Sequence, residues 1–233
     1  MFASRETIRD IKEIPVITNL IKKRAERIVD NVGIENYLKK DGNYLDIGIG
    51  DGYIVQIILK RMSEENRALK NYFSVDIKYE VLNAVQEAEF DRLKKTKKGV
   101  SAKNSMNFIL ANAEGLPFAS NTLDGTSFFF SLHHMDKKVA DKALKEAVRV
   151  VKSGGKIFVA EDLVGNGKHE ELCEKMDRCL NFENDDAEHS YRSDREWQKC
   201  FEKMGLKLID KKNFKTKMRS ITIDHIFYVL KKM

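Results

Sequence analysis

The chain predicts an α/β fold, a doubly wound, mostly parallel sheet closed by an antiparallel pair. Short apolar runs alternate with longer amphipathic ones, a glycine-rich turn follows the first run, and no internal repeat or linker divides the chain. From Val16 to Lys40, apolar residues recur at helical spacing (Ile17, Leu20, Ile21, Ala25, Ile28, Val29), and Gly33 interrupts before Ile34. This predicts an N-terminal helical segment. Strand and helix then alternate: Tyr44–Ile47 with Ile54–Met62, Tyr72–Val75 with Val81–Leu93, Asn107–Leu110, Thr126–Leu132 with Val139–Val151, and Lys156–Ala160. Alternation of this kind implies right-handed crossovers that put helices on both faces of the sheet.

Helix boundaries have chemical support. Asp136 is placed to cap the helix running through Val151, and Ser193 with Glu196 forms a capping box ahead of Trp197. Gly154 and Gly155 stop a helix and turn the chain into the next strand. A polar excursion from Val164 to Gly205 follows, read as a lid or substrate segment, before two final strand-like runs, Lys207–Asp210 and Ile221–Leu230. The organisation is one domain: a helical cover (1–40), a ligand-binding core (41–163), the lid (164–205) and a C-terminal strand pair (206–233).

Composition excludes other classes. With 233 residues, 42% hydrophobic, 13 Phe and only 2 Pro, the chain has the apolar content for a core and is neither disordered nor collagen-like. No apolar run approaches the ~18 residues of a spanning helix. Three cysteines, Cys173, Cys179 and Cys200, show no CxxC spacing, so a reducing cytoplasm is the expected location, with neither a disulfide framework nor a metal cluster. The net charge of +6 would suit an anionic partner, but the basic residues read as dispersed along the chain.

The chemistry begins at Tyr44-Leu-Asp-Ile-Gly-Ile-Gly-Asp-Gly-Tyr-Ile54, a strand running into Gly48, Gly50 and Gly52 and then a helix. Such a turn lets backbone approach a nucleotide-like ligand at a helix N-terminus. The spacing is GxGxG, and the third glycine of the dinucleotide pattern GxGxxG is replaced by Tyr53. Asp46 and Asp51 would repel a pyrophosphate and suit a cationic ligand, a sulfonium or an amine.

At this point the sequence resembles the class I S-adenosylmethionine-dependent methyltransferases, in particular the small-molecule and lipid branch called type 11. Leu45-Asp46-Ile47-Gly48-Ile49-Gly50-Asp51-Gly52 is similar to the family's first motif. Val75-Asp76-Ile77 puts an acid where the family binds both ribose hydroxyls. Ala111-Asn112-Ala113-Glu114-Gly115-Leu116-Pro117-Phe118 resembles the D-A-x-x-L-P-F segment that holds adenine, with Asn112 in place of Asp and Ala113 acting through its backbone. Leu123-Asp124-Gly125 leads into the fourth strand, and Ala147 to Lys156 resembles the R-V-L-K-P-G-G turn, with Ser153 in place of Pro.

The resemblance spans Tyr44 to Asp162. It implies a Rossmann-like seven-stranded mixed sheet of order 3-2-1-4-5-7-6, S-adenosylmethionine as cofactor, and Asp46, Gly48, Gly50, Gly52, Asp76, Ile77, Asn112 and Ala113 as its binding residues. The acceptor implied is a small or lipid-like molecule. His133, His134 and Glu161 fall after the fourth and fifth strands, where a proton could be removed from an acceptor. Tyr191 and Arg192 are candidate acceptor contacts from the lid, and His225 stands at the start of the last strand. His169, His189 and the acids Glu183, Asp185, Asp186 and Glu188 fit no metal-ligand spacing and read as a solvated loop.

Nucleic acid is the second choice of acceptor. Its best patches are Arg92 to Lys98 and Lys211 to Arg219, but the Asn-Pro-Pro-Tyr-like segment of amino-directed base methyltransferases is absent, and no Cys lies near Leu132 or Glu161. A nicotinamide oxidoreductase is disfavoured by the glycine spacing. A non-catalytic S-adenosylmethionine-binding protein is the third alternative, fed by the Asn112 departure.

Overall fold

The computed structural model describes residues 15–95, 106–164, 171, 173–175, 189–218 and 221–233. Helix α1 spans Pro15–Val32 and a 3-10 turn follows at Ile34–Tyr37. Then come β1 (Asn43–Ile47), α2 (Tyr53–Glu64), β2 (Asn71–Asp76), α3 (Tyr79–Lys95), β3 (Met106–Leu110) and β4 (Leu123–Phe129). A 3-10 turn at Leu132–His134 precedes α4 (Lys137–Val150), β5 (Val151–Asp162), α5 (Asp194–Lys203), β6 (Leu206–Met218) and β7 (Ile221–Lys232).

The strands form one seven-stranded sheet of order β3-β2-β1-β4-β5-β7-β6. β1 to β5 pair in parallel, and β7 runs antiparallel to both β5 and β6. This is the order expected from the sequence, with the antiparallel pair at one edge. Side chains alternate across the sheet, so each face has its own core. On one face Ile28, Val29 and Val32 of α1, Val55 and Ile58 of α2, and Leu82 and Val85 of α3 meet Phe158 and Phe227. On the other, Ala140, Ala143, Leu144 and Ala147 of α4 and Trp197 and Phe201 of α5 meet Ile157, Val159 and Tyr228. Burying such side chains stabilises by roughly 1.5–3 kcal/mol each against the entropy of ordering them.

The expected caps are present. Asp136 accepts from the backbone N–H groups of Lys138 and Val139, and Ser193 and Glu196 form the reciprocal capping box of α5. Boundaries differ in three places. β4 stops at Phe129 rather than Leu132, because Phe130 takes a left-handed conformation (φ 54°) while its N–H still reaches the Ala160 carbonyl at 2.8 Å. α4 ends at Val150, ahead of the two glycines, and β5 begins at once. β6 is far longer than Lys207–Asp210, continuing through Lys211, Lys212, Lys215 and Lys217. Lysines on an edge strand discourage pairing with another chain.

Part of the segment expected as a lid, 164–205, is core. Trp197 and Phe201 are buried in the core, so α5 belongs to the helical layer. The residues read as a solvated loop, His169, Glu183, Asp185, Asp186 and Glu188, lie outside the described residues, as do the greater part of the excursion and Thr96 to Lys98. No described helix is long and apolar enough to cross a membrane.

Candidate functional site

The parallel strands end together, and the chemistry-bearing residues gather along that edge. After β1 the backbone passes through three left-handed glycines, Gly48 (φ 78°), Gly50 (φ 57°) and Gly52 (φ 72°). Their reasons differ. A Cβ on Gly48 would stand 2.6 Å from the Ser131 Cβ, so this glycine exists for the close approach of the β1 and β4 ends. A Cβ on Gly50 would meet nothing within 4 Å, which leaves exposed backbone facing open space at the foot of α2. Gly48 N–H donates to the Val75 carbonyl at 2.8 Å and Ser131 Oγ to the Ile47 carbonyl at 2.8 Å, tying the turn to both neighbouring strands. Asp51 accepts from the Tyr53 N–H at 3.0 Å, in the first turn of α2.

Asp46 lies behind this turn. It is 1% exposed and accepts a hydrogen bond from Ser127 Oγ at 2.6 Å. Burial pushes its carboxyl up to about 7; the Ser127 bond opposes the shift and the Asp76 charge adds to it. Asp46 thus sits beneath the loop rather than at its surface. Asp76 ends β2 half-exposed, with one carboxylate oxygen accepting the Lys78 N–H at 2.9 Å. Ile77 beside it is 64% exposed, and Leu110, paired in register with Asp76, is 56% exposed. Large apolar side chains held in water next to a carboxylate are the setting of a flat, partly apolar ligand.

Asn112 is exposed, and its Oδ1 accepts the Glu114 N–H at 2.9 Å, closing an Asx turn. Lys142 holds Glu114 at 2.8 Å, and Phe118 packs edge-on against Phe73 at 5.1 Å. The segment is therefore shaped by its own side chains. Ala113 follows Asn112 at the same rim, half-buried.

Beyond β4 and β5 lie two histidine–carboxylate pairs. His133, 1% exposed, meets Glu161 Oε2 through Nδ1 at 2.5 Å, and the other Glu161 oxygen accepts the Leu132 N–H at 2.8 Å. His134 Nδ1 lies 3.1 Å from His189 Nε2, and Tyr191 stacks on His133 with ring centroids 5.0 Å apart. Ser190 N–H donates to the His133 carbonyl at 2.8 Å, fastening the returning chain. The structure thus brings together His133, His134, Glu161 and Tyr191.

It separates Arg192 from them. That guanidinium is 6% exposed, pairs with Asp141 at 2.8 Å, donates to the Lys137 carbonyl at 2.9 Å and lies over the Trp197 ring. Arg192 anchors α5 to α4 and is not available as an acceptor contact.

The second pair was legible only in part. His225, fully buried, bonds Asp162 through Nδ1 at 2.6 Å and Thr216 through Nε2 at 2.6 Å, between the rings of Phe130 and Phe214. Ser127, Ser131, Phe130, Thr216 and Arg24, whose guanidinium lies 5.2 Å from the Phe130 ring centroid, carry no local sequence signal. Each acquires its place from strand order.

Residues 45–159 match a family model described as a methyltransferase domain. The ubiquinone/menaquinone biosynthesis C-methyltransferase UbiE of Allorhizobium ampelinum is 35% identical over 125 residues, covering 53% of this chain and 43% of that protein. Its counterpart from Rickettsia typhi is 30% identical over 146 residues, 63% of this chain and 54% of that one. The chain spans about half the length of the curated relatives it matches. Among solved structures, a SAM-dependent methyltransferase from Methanosarcina mazei has a TM-score of 0.65 at 20% identity, covering 86% of this chain and 96% of its own. The [4+2]-cyclase SpnF has a TM-score of 0.64 at 14% identity, covering 100% of this chain and 97% of its own, so this fold also supports other chemistry.

Proposed function

The chain belongs to the class I S-adenosylmethionine-dependent methyltransferases, its methyltransferase domain lying at residues 45–159, and from that premise we propose that it methylates a small, apolar, quinone-like acceptor. The observation that carries the reading is the juxtaposition of open backbone at Gly50 with the Asp76 carboxylate and the exposed Ile77 and Leu110 on one sheet edge. These residues fit S-adenosylmethionine. Gly50 allows backbone contact, Asp76 offers two acceptor oxygens to a ribose, and Ile77 and Leu110 flank an adenine. When ionised, above its raised pKa of about 7, the buried Asp46 adds negative charge behind the loop, which favours a sulfonium over a phosphate. When bound, the cofactor supplies an electrophilic methyl group.

The chain's remaining task is to hold an acceptor in line and manage its proton. Orientation alone can contribute ~7–11 kcal/mol to such a displacement. A ring carbon bearing a neighbouring hydroxyl becomes nucleophilic as that hydroxyl loses its proton, and His133 is the group we assign to receive it. Glu161 fixes the imidazole through Nδ1 and would stabilise the imidazolium. Tyr191, stacked on His133, closes this corner, so acceptor entry exchanges that ring contact for its own. The quinone-like class rests on the matched relatives and on the Tyr191 ring beside His133.

The test begins with calorimetric titration of the protein with S-adenosylmethionine, S-adenosylhomocysteine and NAD, alongside Asp76→Ala. Micromolar affinity for the adenosyl ligands alone, weakened at least tenfold in the variant, is expected. Binding of NAD, or of nothing, would overturn the reading. A screen with labelled methyl donor, setting desmethyl quinols against short RNA, then identifies the acceptor class.

A further inference from the structure

The basic residues that look dispersed in the sequence are gathered by the fold. Helix α1 buries Ala25, Ile28, Val29 and Val32, which leaves Lys22, Lys23 and Arg27 exposed and Arg24 half-exposed. The end of β6 adds Lys215 and Lys217, and the two elements are joined where Arg27 donates to the Lys217 carbonyl at 3.0 Å. Direction places this surface. β6 runs parallel to β5, because both are antiparallel to β7, so Lys215 and Lys217 lie at the edge where β5 ends in Glu161 and Asp162. Lys22 lies 5.1 Å from the Tyr53 ring centroid, at the start of α2, and Arg24 lies over Phe130. The cations therefore border the mouth of the site.

The same stretch exposes Leu20, 38% accessible, one turn before Arg24. Acids are few here. Glu26 shares the exposed face of α1, Asp224 pairs with Lys215 at 2.9 Å, and Asp30 is taken up by Arg61 farther along the helix.

We propose that the outer face of α1 and the end of β6 dock the protein on an anionic lipid bilayer, with the mouth of the site toward the lipid. The inference deepens the proposed function and rests on its lipid-like acceptor, which such docking would deliver from the bilayer without passage through water. Lysine and arginine within a Debye length of anionic headgroups are each attracted, and an exposed leucine among them adds shallow insertion. A polynucleotide would use the cations but not Leu20, which is why the bilayer is preferred.

Co-sedimentation of the full chain with phosphatidylcholine vesicles, with and without phosphatidylglycerol, tests this. Binding only to the anionic vesicles, reduced more than tenfold between 0.1 and 0.5 M salt, is expected because that change shortens the screening length about twofold for every cation at once. Lys22→Glu/Lys23→Glu should weaken vesicle binding at least tenfold, whereas Lys39→Glu/Lys40→Glu, at the opposite edge before β1, should change it less than threefold. Equal effects of the two variants, equal binding to neutral vesicles, or displacement from vesicles by a short RNA would overturn the proposal. S-adenosylhomocysteine affinity, read on both variants, reports folding and separates the hypotheses. Cofactor binding without vesicle binding sinks the docking surface alone, and vesicle binding without cofactor binding sinks the methyltransferase reading.

Discussion

Glu161 and Asp162 are neighbours on β5, yet they pair with histidines on opposite sides of the sheet, and we propose different work for the two pairs. Glu161 points with Ile157 and Val159 toward the α4 face and holds His133, which comes from the turn after β4. Asp162 points with Phe158 and Ala160 toward the α1 face and holds His225 of β7. The His225 ring has both nitrogens bound, one to Asp162 and one to Thr216, and is walled by Phe130 and Phe214. It fastens β5, β6 and β7 together. The His133 ring instead stacks on Tyr191 and lies among His134 and His189, on residues that leave the sheet. Identical chemistry is structural where strands surround it and suited to catalysis where it meets turns.

The largest expected effect tests that division. Glu161→Gln keeps an acceptor for the Leu132 N–H but no longer offers His133 a carboxylate, so turnover of the acceptor found by screening should fall by about 10²-fold, within the range of general-base catalysis. The urea midpoint should fall as well, because Glu161 is as buried and as bonded as Asp162. Asp162→Asn should lower stability by roughly 2–3 kcal/mol in urea denaturation through a broken buried network while changing turnover and S-adenosylhomocysteine affinity less than threefold. If the two variants lost turnover alike, the division would be wrong.

A contrast within the glycine turn is next in size. Gly48→Ala drives a Cβ against Ser131 and should cost stability, roughly 2 kcal/mol or more, visible as a lowered melting temperature. Gly50→Ala has room for its Cβ, so its cost should appear mainly as a several-fold loss of cofactor affinity by calorimetry, from the strain at φ 57° and the methyl group on the ligand side.

The smallest effect concerns Asp46. Burial raises its folded pKa to about 7, above the ordinary aspartate value, so the stability it contributes is fully present below about 3.8 and is lost as pH rises through about 7. Asp46→Asn removes that dependence. The melting temperature of the variant relative to the parent should therefore be higher at pH 8 than at pH 5 by a few degrees, and an equal difference at both would mean that Asp46 is ionised throughout.

Amphipathic period and turn chemistry made α2, α4, α5 and the strands legible, and the caps at Asp136 and Ser193 were readable because capping is decided within three residues. Arg192 misleads in the sequence for a physical reason. Its partners Asp141 and Lys137 lie more than fifty residues away, and nothing near Arg192 announces that its charge is already answered.

What the sequence determined by itself was local: the glycines that permit the turn at 48–52, the acid at the end of β2, the alternation that builds a parallel sheet, and the histidines after β4. The tertiary structure decided which of those groups meet. Strand order set Glu161 against His133 and Asp162 against His225, buried Asp46 under Ser127, and laid α1 beside β6 so that dispersed cations became one surface. Those outcomes depend on contacts between residues far apart in the chain, and no local pattern encodes a partner that only the closed sheet brings near.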